Sequence, residues 1–119
     1  MKNLAPEIFR QRLLIEGYYS TEMTRASLGT FMTGLAEHLG LRAYGAPAIF
    51  SPAGQGKAQN QGFDAFLPLV DSGISAYVWT GQKFVSVLVY TCKQFDEATA
   101  IEFTRRGLGI AGEIASASI

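Results

Sequence analysis

The sequence predicts a two-layer α/β sandwich of the α+β class, an antiparallel sheet with two helices covering one face. Three observations carry that prediction. Short apolar blocks bounded by Gly, Pro, Asn and Asp recur between residues 11 and 91, as strands require. Only two stretches, 21–40 and 96–109, carry apolar residues at helical spacing. The later strands are joined by hairpin-sized connections, which make neighbouring strands antiparallel. With both helices on one side, the other sheet face must meet solvent or a second protomer.

The elements follow in order. Residues 1–9 read as a flexible lead-in. In QRLLIEGYYS, Leu13, Leu14, Ile15 and Tyr18 suggest a buried strand interrupted by Glu16. Ser20 or Thr21 is placed to cap the first helix, because a hydroxyl there accepts a free first-turn amide. Within that helix Met23, Leu28, Phe31, Met32, Leu35 and Leu39 repeat at helical spacing, and Gly40 ends it. LRAYGAPAIF reads as a second strand, placed at an edge or a bulge by Pro47. The polar, Gly-rich SPAGQGKAQNQG reads as a loop; its spacing does not match a phosphate-binding loop. FDAFLPLVD and ISAYVWT read as strands three and four. A tight turn at Gly81-Gln82 leads into KFVSVLVYT, the most strand-like run in the chain. Asp96 caps a second helix whose Ala100, Ile101, Phe103 and Leu108 face inward. The single domain spans 10–109, and AGEIASASI, 110–119, reads as a frayed tail.

The totals narrow the function. A chain of 119 residues supports one hydrophobic core and not two. Ten basic residues balance ten acidic ones with no basic stripe, so neither nucleic acid nor an anionic membrane is the expected partner. No apolar run approaches the length of a membrane span, and the N-terminus lacks the pattern of a signal peptide. One cysteine cannot form an intrachain disulfide, so a reducing cytoplasm is the simplest compartment. A near-neutral surface leaves little charge to keep protomers apart.

Three positions invite chemistry. At Asp71-Ser72-Gly73 the serine hydroxyl can attack the preceding carbonyl, converting the amide to an ester. Removal of the serine α-proton then expels the carboxylate and leaves a pyruvoyl group, a ketone that acts as an electron sink. The same tripeptide is also a common turn. Cys92 ends the last strand of the run, where a thiol can return a proton to a carbanion or simply fill space. Glu16, an acid inside an apolar strand, either faces the wet side of the sheet or belongs to a site. His38 fits a solvated face or a contact with the helix dipole. No His, Cys and Asp cluster has metal-ligand spacing, so no metal site is expected.

The run from Asp71 to Cys92 resembles, without a gap, the core of the small bacterial and archaeal S-adenosylmethionine decarboxylases. In that family an acid-Ser pair is the self-cleavage site, an aromatic follows at the position of Trp79, and the strand closes as Tyr90-Thr91-Cys92 does. QRLLIEGYYS is similar to the family's first strand, with Glu16 on its glutamate. Phe50-x-Pro52-x-Gly54 is similar to the family's Phe-x-Pro-x-Gly. The resemblance implies a pyruvoyl cofactor made from Ser72 after cleavage at Asp71-Ser72, with Cys92 as proton donor and Glu16 assisting with substrate. It places Phe50, Asp64 and Trp79 at the substrate, S-adenosylmethionine or a related amino acid in polyamine metabolism. It also implies a homodimer. Four positions depart from the family's pattern. Gly73 stands for a histidine, Tyr77 for a second histidine, Asp64 for a helper serine and Asp71 for glutamate. A phenol releases its proton far less readily than an imidazolium.

Two functions follow from different classes. One is a pyruvoyl-dependent decarboxylase in which Tyr77 or Asp64 assumes the roles of the lost groups. The other is a non-processing homologue that binds a small ligand or regulates a partner enzyme. More remote is different chemistry on a sulfonium in the same pocket.

Overall fold

The computed structural model describes residues 1–52 and 54–119. Its regular elements are β1 (Gln11–Tyr18), α1 (Arg25–His38), β2 (Ala48–Phe50), β3 (Gly62–Leu69), β4 (Ser72–Trp79), β5 (Phe84–Thr91), α2 (Glu97–Leu108) and β6 (Ile114–Ser118). The strands form one antiparallel sheet in the order β2-β3-β4-β5-β1-β6. α1 lies over β3 and β4, α2 over β1, and the helices touch through stacked Phe31 and Phe103. This is the expected two-layer sandwich.

Alternation along each strand divides the sheet into two unlike faces. Leu13, Ile15, Leu67, Ile74, Ala76, Val85, Val87 and Val89 point at the helices and, with Leu28, Met32 and Leu35 of α1, form the buried core. The opposite face is uncovered, and along β4 it carries Gly73, Ser75, Tyr77 and Trp79. Among the described residues no helix is long and apolar enough to cross a membrane.

Several local expectations need correction. Thr24 caps α1, exchanging hydrogen bonds with Ser27 in a capping box. Ser20 and Thr21 serve the other helix: Ser20 Oγ donates to Gly109 O, and Thr21 Oγ1 to Leu108 O. They tie the C-terminal end of α2 to the chain leaving β1. The strand expected over 41–50 is divided. Ala43 bridges Leu69, and pairing resumes only at β2, because Gly45 and Pro47 interrupt the ladder. The connection between β4 and β5 spans 80–83, and its left-handed residue is Lys83 (φ 57°). The lead-in is folded rather than loose: the Arg10 guanidinium donates to Ala5 O, Ile8 O and Asn3 Oδ1. The tail is not frayed either. β6 pairs with β1 from Leu13↔Ser118 to Gly17↔Ile114, and Ile114 packs on the core. Asp96 caps α2 as expected, its Oδ1 accepting from the Ala98 amide.

Candidate functional site

The turn between β3 and β4 is two residues long, Val70 and Asp71, since Leu69 pairs with Ser72. Asp71 closes it in the left-handed region (φ 57°), which a short acidic side chain tolerates better than most. Ser72 and Gly73 are therefore the first residues of β4 and not part of the turn itself. Beside this hairpin tip β5 ends, and the Cys92 amide donates to the Asp71 carbonyl at 3.2 Å. The carbonyl preceding Ser72 is thus held and polarised by a backbone N–H. Ser72 lies in a cross-strand row with Leu69, Thr91 and Gln11 on the helix-facing side. Its Oγ is sealed from solvent and has no hydrogen-bond partner among the described residues. Asp71 and Cys92 are both exposed. Asp71, Ser72 and Cys92 thus come together at one end of the sheet.

On the uncovered face the same end carries a pocket of about 270 Å³ lined by Phe66, Asp71, Ser72, Gly73, Ser75, Leu88 and Tyr90. Phe66 shapes it. A Cβ at position 73 would stand 2.7 Å from the Phe66 ring, so the ring occupies the space that a side chain there would need.

The remaining candidates form a second group farther along the strands. The register aligns Phe50, Asp64, Tyr77, Ser86 and Glu16 in a single row across five strands of the uncovered face. Glu16 Oε2 accepts from Ser86 Oγ at 2.7 Å, which supplies the partner that a half-buried carboxylate needs. Trp79 lies one row beyond, its Nε1 donating to Asn60 Oδ1 at 2.9 Å. With Asp64, Tyr77 and the loop residues Pro52, Gln55, Gly56, Lys57 and Asn60 it lines a pocket of about 420 Å³.

These two groups are separate. From Ser72 to Tyr77 the chain advances five residues, roughly 16 Å along an extended strand, and the two side chains leave opposite faces. Tyr77 and Asp64 adjoin each other rather than Ser72, so they do not stand where groups assisting at Ser72 would have to stand. Ser86, Phe66 and Leu88 join these groups without a motif of their own. Ser86 carried a readable signal, a polar residue on the alternate face of the most apolar strand; Phe66 and Leu88 read only as strand residues.

His38 contacts neither group. Its Nδ1 lies 3.1 Å from Gly34 O and its ring packs on Phe103 on the helical side. Among the described residues no group of three or more His, Cys, Asp or Glu could hold a metal ion.

No family model matches the chain, and no curated protein matches it in sequence. Among solved structures it is similar to the crystal structure of the adenosylmethionine decarboxylase from Aquifex aeolicus VF5. The TM-score is 0.72 at 17% identity, over 94% of this chain and 89% of that one. At that identity the likeness is one of fold.

Proposed function

We propose that the chain is an S-adenosylmethionine decarboxylase-like protein that cleaves itself between Asp71 and Ser72 and decarboxylates S-adenosylmethionine or a related amino acid. One observation carries the reading. An unpartnered, buried serine Oγ follows directly on a carbonyl that is held by the Cys92 amide in a left-handed turn. A backbone N–H on a carbonyl under attack stabilises the developing oxyanion. A buried hydroxyl without a partner gives up no hydrogen bond when it moves to attack.

The steps at the chain's own residues are these. Ser72 Oγ bonds to the Asp71 carbonyl carbon, the Asp71–Ser72 C–N bond breaks as the hydroxyl proton passes to the Ser72 nitrogen, and an ester links the halves. Loss of the Ser72 α-proton expels the Asp71 carboxylate. Tautomerisation and addition of water release ammonia and leave residue 72 as a pyruvoyl group. That group supplies a ketone able to condense with a substrate amine and draw in the electrons left by departing carbon dioxide. Cys92 Sγ then holds the proton returned to that carbon. Glu16, fixed by Ser86, offers a negative charge to a sulfonium or ammonium group, at the β1 end of the row whose β4 and β2 positions are the aromatic Tyr77 and Phe50. The protein works as a cytoplasmic homodimer in polyamine metabolism, its second protomer covering the open sheet face.

Intact mass under denaturing conditions tests the reading. Fresh and aged protein are expected to yield fragments 1–71 and 72–119, the second with a blocked N-terminus, and Ser72→Ala to yield one chain. Cys92→Ala is expected to be cleaved normally yet turn over at least about tenfold more slowly; full turnover would remove Cys92 from the mechanism.

A second reading is favoured by the Phe66 ring beside Gly73 and by the distance of Tyr77 from Ser72. It is a non-processing homologue that binds a small ligand or regulates a partner enzyme. A wild-type chain that stays whole after days at room temperature, with no decarboxylase activity, selects it.

A further inference from the structure

We propose that the N-terminal lead-in and β1 form a binding site for a phosphate-type oxyanion, built on Lys2, Arg10 and Arg12. These three line a small cavity of about 170 Å³ together with Asn3, Pro6 and Phe9. No acidic residue lines it; Glu7, the one acid in residues 1–12, is outside the lining. Arg12 is the anomaly that points to a ligand. Its Nε is sealed from solvent and has no acceptor among the described residues, and its side chain makes no other hydrogen bond there. A sealed N–H is costly to leave unpaired, so the half-buried Arg12 side chain gains by turning this donor toward an acceptor in the cavity it lines.

Arg10 differs in a way that strengthens the case. Its guanidinium is already fixed by Ala5 O at 2.9 Å, Ile8 O at 2.9 Å and Asn3 Oδ1 at 2.8 Å. The lead-in is therefore curled before any ligand arrives, and neutral acceptors leave the charge of Arg10 uncancelled. Three positive charges around one small space repel each other, and a dianion converts that repulsion into attraction. Arginine nitrogens match the oxygen spacing of a phosphate, and the volume admits a phosphate group but not a whole nucleotide. The site does not depend on Ser72 chemistry and stands whether or not the chain is cleaved.

The test is titration of the full chain with inorganic phosphate, with chloride and acetate at matched ionic strength as controls. Arginine Nε–Hε and lead-in amide signals are followed by NMR. A saturable phosphate-specific shift that includes Arg12 is expected. Arg12→Gln is expected to weaken binding about tenfold or more, the effect of removing a charged hydrogen-bond donor. Lys2→Gln, at an exposed position that folding does not require, is expected to weaken it roughly threefold or more by loss of one charge. Glycerol phosphate separates the sources: tighter binding than free phosphate assigns a phosphate monoester, and exclusion assigns the free anion. An equal response to chloride or acetate overturns the proposal. So does unchanged affinity in both variants.

Discussion

At position 73 a methyl group would stand 2.7 Å from one carbon of the Phe66 ring and 3.0 Å from another, so the two residues form one packing unit. Gly73→His is expected to cost about 1–3 kcal/mol, the usual range for forcing extra volume into a packed site. Combining it with Phe66→Ala is expected to recover much of that cost, because the two changes share the same space. Urea denaturation of the single and double variants reads the coupling, and strictly additive costs would show that the ring does not block position 73. Gly62 is more constrained, since a Cβ there would stand 1.8 Å from the Val78 carbonyl oxygen. Tyr19 sets a pH limit. Burial raises its phenol above the ordinary 10.0, while its hydroxyl donates to Trp79 O at 3.4 Å. The unfolded chain ionises first as pH rises, so stability present below that value is lost as pH climbs through the folded pKa. Tyr19→Phe is expected to flatten this alkaline loss in thermal melts taken from about pH 8 to about pH 11. An unchanged pH profile would show that Tyr19 does not set the limit.

The helices and strands show which signals in the chain could be read and which could not. β1, β3, β4 and β5 were legible because apolar alternation is strong where one face is a core, and Asp96 because an acid before a helical pattern has one obvious use. β6 was not legible. IASAS is too small and too polar to mark a core strand, and its partner, the outer edge of β1, becomes visible only once the sheet is assembled. Sequence proximity points Ser20 and Thr21 to the nearer helix and hides the end of α2 that they bind. The candidate residues were legible one by one, but their division between two faces depended on strand register, which hinges on a two-residue turn. Two outcomes follow. Thr24→Ala is expected to cost about 1 kcal/mol by removing the α1 cap. Truncation after Gly112 is expected to lower the melting temperature and to raise hydrogen exchange along β1, whose amides lose their outer partner; protection unchanged at Leu13 to Gly17 would contradict the pairing.

The molecule as a whole is one-sided. Helices seal one face of the sheet, while Tyr18, Phe50, Phe66, Tyr77 and Tyr90 stand exposed on the other. Exposed aromatic side chains on one open face are what a partner surface would bury. If a second protomer covers it, sedimentation is expected to give twice the chain mass of 12.9 kDa. Phe66→Glu, on that face, is expected to shift the equilibrium toward the single chain; a variant that sediments like the wild type would place the partner elsewhere. The sheet order has one more consequence. Residues 1–71 hold β1, β2, β3 and α1, and residues 72–119 hold β4, β5, β6 and α2. Along the sheet these halves alternate, since β1 lies between β5 and β6. A break at the hairpin tip would thus leave two interleaved peptides joined by three ladders, a natural complementation pair. Produced separately, each half would expose the edge that the other completes, and mixing them would rebuild the sandwich without any covalent link, as a split reporter does.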